Sequence, residues 1–296
     1  MHLPKLSVVV PNYNGGTYIE ETLLSVIDQN YPNLELIVID GGSSDNSVEV
    51  IKKYEKHISY WISEKDEGQS HAINKGFERA SGDYIAWMNS DDLYLKDALL
   101  KVFSLPGITG YDFIYGQVYI GRDVEHVQYI PAKHNREFSL FNLLHFFYSV
   151  DYIIPSQSVF VKRSFLELHK IKFLNNACHY CMDMEWYCRI VLAKPVYYKY
   201  NEALLFFRLN ESTKTGSQYS RMQAEAIQVF LNYRSQLQPK EEDKLFKLIY
   251  YHRVLHRLFM KKLKTNLKLL VRIFLETPGY AIKDRRFLGL VKRNLF

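Results

Sequence analysis

Cysteine is scarce in this chain: Cys178, Cys181 and Cys188 are the only three in 296 residues. The first two form a lone C-x-x-C, "CHYC". A structural zinc site needs a second ligand pair at matching spacing, and none is present; covalent haem attachment needs His where Met182 stands. The reading is packing cysteines in a reducing compartment, with zinc or redox chemistry as the alternative. Long uncharged apolar runs are missing too, none reaching the ~20 residues needed to cross a bilayer. "MHLPKLSVVVPNYNGG" lacks the basic start, long apolar centre and small-residue cleavage site of a signal peptide. The expectation is a cytoplasmic protein, soluble or peripheral on the inner face of the cell membrane. Three catalytic signatures are also absent. No G-x-G-x-x-G follows the first apolar run, no G-x-x-x-x-G-K-[ST] supplies a P-loop, and no G-x-S-x-G supplies a hydrolase elbow.

What is present is a well-stocked core and an uneven distribution of charge. Hydrophobic residues make up 47% of the chain and charged residues 24%, which suits a folded protein of one large or two modest domains. The net charge of +6 conceals a divide: residues 244–296 carry 14 Lys and Arg against Glu276 and Asp284, while the rest carries 24 basic and 30 acidic side chains. An acidic body bears a basic tail.

The first hundred residues alternate. "LSVVV" (Leu6–Val10) and "LELIVI" (Leu34–Ile39) are short β-branched runs, and "ISYWI" and "DYIAWM" are weaker ones. Between them lie helical patterns over Thr17–Gln29, Asp45–Tyr54 and Gln69–Ala80. Buried strands separated by helices predict an α/β fold with a mostly parallel sheet. Such sheets bind ligands beyond the carboxyl ends of their strands. "PNYN", "DGGSSD" and "NSDD" each follow an apolar run, so all three polar clusters are expected along one edge. The middle, Tyr111 to Arg208, is less regular: "DFIYGQVYI" reads as a strand and "CMDMEWYCRIVLAKPVYY" as a helix feeding a strand. Beyond Thr215 the pattern is helical.

The expected edge gathers Asn12, Asn14, Asp40, Asp45, Glu67, Asn74, Asp91 and Asp92. Carboxylates with water suit Mg²⁺ or Mn²⁺, and Mg²⁺ usually takes one or two protein carboxylates plus a substrate's phosphates. Asp91 and Asp92 therefore either begin a metal site or are turn and N-cap residues after a buried strand.

The order of these segments carries a resemblance. "VVVPNYNGGTYIEETLLSVIDQNYPNLELIVIDGGSSDNS", then "DEGQSHAINKGFERASGDYIAWMNSDD", then "SQSVFVKRSF" and "MDMEWYCRI" together resemble inverting family-2 glycosyltransferases of the polysaccharide-biosynthesis type. The match runs from about Leu6 to Arg208. It implies the GT-A nucleotide-binding (Rossmann-like) fold over residues 1–215, with a donor-binding half to about 110, an acceptor half after it and a helical basic extension over 216–296. It implies that Pro11, Tyr13 and Asp40 hold the base of a nucleotide sugar, most simply a UDP-sugar. Asn74 and Gln69 would line the donor pocket. Asp91 would face the ribose or metal, and Asp92 would coordinate Mg²⁺ or Mn²⁺ bridging the diphosphate. Asp183 would be the general base toward a hydroxyl of a glycan or lipid-linked glycan; its alternative is a helix cap, with Glu185 as substitute base. A sugar-nucleotide nucleotidyltransferase and a non-catalytic glycan- or nucleotide-binding module are the rival readings.

Three positions depart from that family's pattern. Gly41 stands where a second Asp is frequent, Asn89 where the metal motif often begins with Asp, and Asn210 where His is common; Arg208 or Lys214 would then serve the diphosphate. In the tail, Arg257, Lys261, Lys264, Lys268 and Arg272 form one helical stripe opposite Leu255, Phe259, Leu263, Leu267, Leu270 and Phe274. The stripe either packs with a solvated basic face or docks on an anionic membrane. The acidic body and the lack of a nucleic-acid-binding motif point away from nucleic acid.

Overall fold

A computed structural model describes residues 3–123, 127–130, 137–145, 154–210 and 218–260, with 270, 271, 274, 275 and 287 beyond them. Strands β1 (Leu6–Asn12), β2 (Leu34–Asp40), β3 (Tyr60–Ser63) and β4 (Tyr84–Trp87) are joined through helices α1 (Ile19–Ile27), α2 (Ser47–Lys53) and α3 (Gln69–Arg79). All four run parallel, in the spatial order β3-β2-β1-β4. β1 is buried along its whole length because both neighbours are strands and both faces are covered by helices. Successive side chains alternate between those faces: Val9, Ile37 and Trp87 enter one core, Val8, Val10 and Val38 the other.

The second half departs from the parallel pattern. After β5 (Leu93–Tyr94) and α4 (Ala98–Phe103) come β6 (Phe113–Gly121), β7 (Val127–Ile130), α5 (Leu140–His145), β8 (Val159–Lys162) and α6 (Arg163–Leu168). Then follow α7 (Met182–Leu192), β9 (Tyr197–Arg208), α8 (Tyr219–Tyr233) and α9 (Pro239–Met260). β8 pairs antiparallel with both β4 and β6, β6 runs parallel to β9, and β5 closes antiparallel on β9. The sheet is therefore parallel from β1 to β4 and mixed beyond. Between Tyr115 and Val118 the β6–β9 register shifts. Over that stretch β9 spends more residues than β6, and its last residue, Arg208, lies beside the loop after β4.

The carboxyl-terminal helices share the core with the sheet. Ala226, Val229 and Phe230 of α8 and Leu245, Leu248 and Ile249 of α9 belong to the same buried cluster as Trp87 and Trp186. Among the described residues no helix is long and apolar enough to cross a membrane. The basic stripe falls almost wholly outside the described side chains; of its apolar partners, Leu270 is buried and Phe274 exposed. Cys178, Cys181 and Cys188 are free thiols buried in the core, as packing residues are.

Candidate active site

The ends of β1, β2 and β4 converge as the sequence spacing requires. Asn12, the last residue of β1, donates from its amide to Asp40 at the end of β2 (2.7 Å) and to Ser43 Oγ (3.2 Å). Asn14, in the left-handed region at φ 51°, accepts from the Ser44 N–H. Gly15 leaves room for both neighbouring loops: a Cβ there would stand 2.2 Å from Asn12 Oδ1 and 2.8 Å from Ser90 Oγ in "NSDD". Asp45 receives the Gly16 N–H and the Ser47 N–H, so it ties the first loop to the start of α2. Tyr13 projects from this rim with 67% of its surface exposed, whereas Pro11 is buried within β1.

Asp40 stands at the end of β2. It is fully buried, and its two oxygens take five bonds: from Asn12 Nδ2, the Ser43 N–H and Oγ, the Gly42 N–H and Ser63 Oγ. Burial alone would push the carboxyl up, yet the bonds from Ser43, Ser63 and Asn12 hold it below its ordinary value. Asp40 thus shapes the "DGGSS" loop from inside. The carboxylate on the open side belongs to Asp66, which the sequence reading passed over. A Cβ on Gly41 would lie 2.6 Å from Asp66 Oδ2, so Asp66 fills the space that a side chain at position 41 would occupy. Its other oxygen accepts the Gly68 N–H at 2.8 Å. The absent side chain at 41 was the available signal, and it needed a spatial partner to be read.

The acid pair divides in two. Asp92 is 1% exposed; Oδ1 accepts the Arg208 N–H (3.0 Å) and Oδ2 the Asn89 amide (3.1 Å). It fastens the loop to β9. Burial and the neighbouring Asp91 charge hold its carboxyl well above the usual range. Asp91 is half-buried and accepts the Asn210 amide at 3.0 Å. Burial raises this carboxyl too, against the Asn210 bond and the Arg208 charge. Arg208 itself is turned away: its guanidinium pairs with Glu21 (2.5 Å) and lies 4.5 Å from the Tyr18 ring centre. Lys214 lies outside the described residues.

Among the described residues no three His, Cys, Asp or Glu side chains converge on one point as a closed metal cage would require. One outward carboxylate beside an amide instead fits a cation such as Mg²⁺ that takes most of its ligands from water and phosphate.

Two consecutive residues at the start of α3 join this rim to Asp183. Gln69 donates to Asn89 Oδ1 at 2.8 Å, and Ser70 Oγ reaches the Cys178 carbonyl (2.9 Å) and Met182 Sδ (2.8 Å). Asn74, one turn on, spends its amide on Leu174 and Asn176, so it braces the segment leading to α7. Asp183 opens α7 over Trp186, which packs on Trp87 and Phe77 at ring distances of 5.9 and 5.7 Å. It accepts the Met184 N–H (2.8 Å), and burial pushes its carboxyl up to about 6 from 3.8. Glu185 is committed to Arg189 and to the Tyr233 hydroxyl. Gln157 is buried in the turn before β8.

A parallel half-sheet, a mixed half beyond it and carboxylates on the shared rim fit a GT-A architecture. Residues 7–168 match the profile described as glycosyl transferase family 2, and the chain belongs to that family. An uncharacterized glycosyltransferase of Haemophilus influenzae is 38% identical over 104 residues, 34% of this chain and 42% of that protein. TuaG of Bacillus subtilis, provisionally named for teichuronic acid biosynthesis, is 42% identical over 103 residues, 33% of this chain and 40% of that protein. The matched segments span about two fifths of these relatives. Among solved structures, S. aureus TarS 1–349 in complex with UDP-GlcNAc aligns with a TM-score of 0.65 at 17% identity, covering 94% of this chain and 80% of that one. The mannosyltransferase PcManGT of Pyrobaculum calidifontis, with GDP-Man and Mn²⁺, aligns at 0.56 and 14% identity, covering 100% and 88%. At these identities the likeness is one of fold.

Proposed function

We propose that this chain is an inverting glycosyltransferase that moves a sugar from a nucleotide donor, UDP-linked, to a hydroxyl of a glycan or lipid-linked glycan. The observation that carries the reading is the α3 start, where Gln69 touches the "NSDD" loop and Ser70 touches the Asp183 segment. A diphosphate end and a basic carboxylate then flank one helix terminus. The nucleotide sugars held by the two structural neighbours support the donor class.

In this reading the exposed Tyr13 ring stacks on the base, and Asp66 accepts a base N–H, with Asp40 holding the loop between them. Asp91, with Asn210 beside it, faces the diphosphate and Mg²⁺ or Mn²⁺, while Asp92 fixes the loop from behind. When bound, the ion offsets negative charge that builds on the departing nucleoside diphosphate. The acceptor oxygen bonds to the anomeric carbon as the bond to the phosphate oxygen breaks on the opposite face. The hydroxyl proton passes to Asp183, whose carboxyl near 6 is ionised at neutral pH yet basic enough to take it. The basic carboxyl-terminal stretch supports a peripheral contact with an anionic membrane, tested by flotation with phosphatidylglycerol against phosphatidylcholine vesicles.

Thermal protection by a panel of UDP-, GDP- and CDP-sugars, followed by transfer assays with the protective donor, tests the proposal. Protection by a UDP-sugar and an inverted anomeric product are expected. Protection by no nucleotide sugar, or a product of retained configuration, overturns it.

A further inference from the structure

The turn that delivers Asp183 presents three successive backbone N–H groups, those of His179, Tyr180 and Cys181, toward a single carboxylate. Glu225 of α8 accepts all three: Oε1 from His179 at 2.7 Å, Oε2 from Tyr180 at 2.5 Å and from Cys181 at 2.6 Å. Three N–H groups on one anion are a filled anion nest, and charge-assisted bonds of this length are the strong kind. No side chain of α7 caps its own start. The capping carboxylate therefore comes from another helix, 42 residues beyond Asp183 in the chain and outside the matched family segment.

Other bonds on the same face keep Glu225 in place. Tyr180 donates its hydroxyl to Gln218 at 2.6 Å, and the Cys181 thiol reaches the Met222 carbonyl at 3.4 Å. Lower down, the Tyr233 hydroxyl bonds Glu185 of α7 at 2.7 Å. α8 thus holds α7 at its first turn and again near the aromatic core, and Ala226, the residue after Glu225, is buried in that core.

We propose that Glu225 is the positioning residue of the general base: it sets the 179–181 turn, and through it the place of Asp183. The proposal rests on reading Asp183 as the base. The groups bearing on Asp183 are Glu225 from α8, the Cys181 thiol and Tyr187 phenol of its own segment, and, through Met182, the uncharged Ser70 of α3. Glu225 adds to the upward displacement of the Asp183 carboxyl that burial causes, so neutralising it lowers that carboxyl.

The test compares Glu225→Gln, Glu225→Asp and Asp183→Asn by hydrogen exchange in peptides covering 178–184 and by pH profiles of kcat/KM. Glu225→Gln puts an amide N–H₂ where an acceptor is needed. Faster exchange in 178–184, kcat down about 10²-fold, unchanged donor protection and an acid limb moved to lower pH are expected. Wild-type exchange and an unmoved acid limb overturn the proposal. Should Glu225→Gln fail to fold by circular dichroism, Glu225→Asp decides: it keeps the charge on a shorter arm, so exchange rises and kcat falls while the acid limb stays. Unchanged exchange and rate in that variant overturn the proposal. Full transfer by Asp183→Asn removes the base reading itself, a result separable from failure of the Glu225 arm.

Discussion

Replacing Asp183 by Asn is expected to make the protein more stable as it makes it inactive. The Asp183 carboxyl moves from 3.8 to about 6 on folding, because burial disfavours its charge more than the Met184 N–H bond favours it. A rise of that size costs the folded state up to about 3 kcal/mol at neutral pH. Asn keeps an acceptor for the Met184 N–H and carries no charge, so the variant recovers that energy. The sign follows from linkage. Below about pH 4 the carboxyl is neutral in both states and the variant has no ionisation advantage. Between about 4 and 6 the unfolded chain ionises first, so the advantage grows; above about 6 it is constant. Urea unfolding of both proteins from pH 4 to 8 measures it, and at neutral pH the variant's Tm should rise by roughly 5–10 °C. Loss of the positioned base should lower kcat by about 10²–10⁴-fold. A variant less stable than the parent at pH 7.5, or an advantage that does not vary with pH, would refute the reasoning.

At the opposite end of the sheet Glu35 behaves in the reverse sense. Burial would raise its carboxyl, but bonds from Ser7, Ser81 and Lys5 hold it at about 2 instead of 4.5. Its contribution is present above about pH 4.5 and lost as pH falls through about 2, so Glu35→Gln should cost about 3 kcal/mol at neutral pH in urea titrations and nothing near pH 2. Asp40→Asn turns an N–H₂ toward buried donors and should lower stability by roughly 3 kcal/mol, weakening nucleotide protection only through the loop. Asp66→Asn should weaken UDP protection while leaving the stability without ligand within about 1 kcal/mol of the parent. Gly15→Ala drives a methyl against Asn12 and Ser90 and should lower both donor protection and stability, because Asn12 is buried and bonded to Asp40; thermal shift with and without UDP measures each.

The parallel half was legible because its strands are buried on both faces and its helices are amphipathic. Each run therefore carries its own period, and the polar cluster after each run lands on the shared edge. Individual roles there were less legible. An Asp before Gly-Gly has the same sequence whether its oxygens face solvent or, as in Asp40, five internal donors. Two adjacent acids do not say which one turns inward; β9 decides it by placing the Arg208 N–H at Asp92. The mixed half escaped the parallel expectation because β8 and β9 take their partners across long separations and a register shift. Glu225 carried no signal, since one acid on an amphipathic helix reads as a solvated face until its three N–H partners appear.

The central claim is that this rim binds a nucleotide sugar with a divalent ion at Asp91. Titrating UDP into the protein by calorimetry, with Mn²⁺ or with EDTA, in the parent and in Asp91→Asn, tests it most directly. Tighter binding with Mn²⁺ in the parent and no such gain in Asp91→Asn are expected. Binding that ignores Mn²⁺ in the parent, or a full gain in Asp91→Asn, would contradict it.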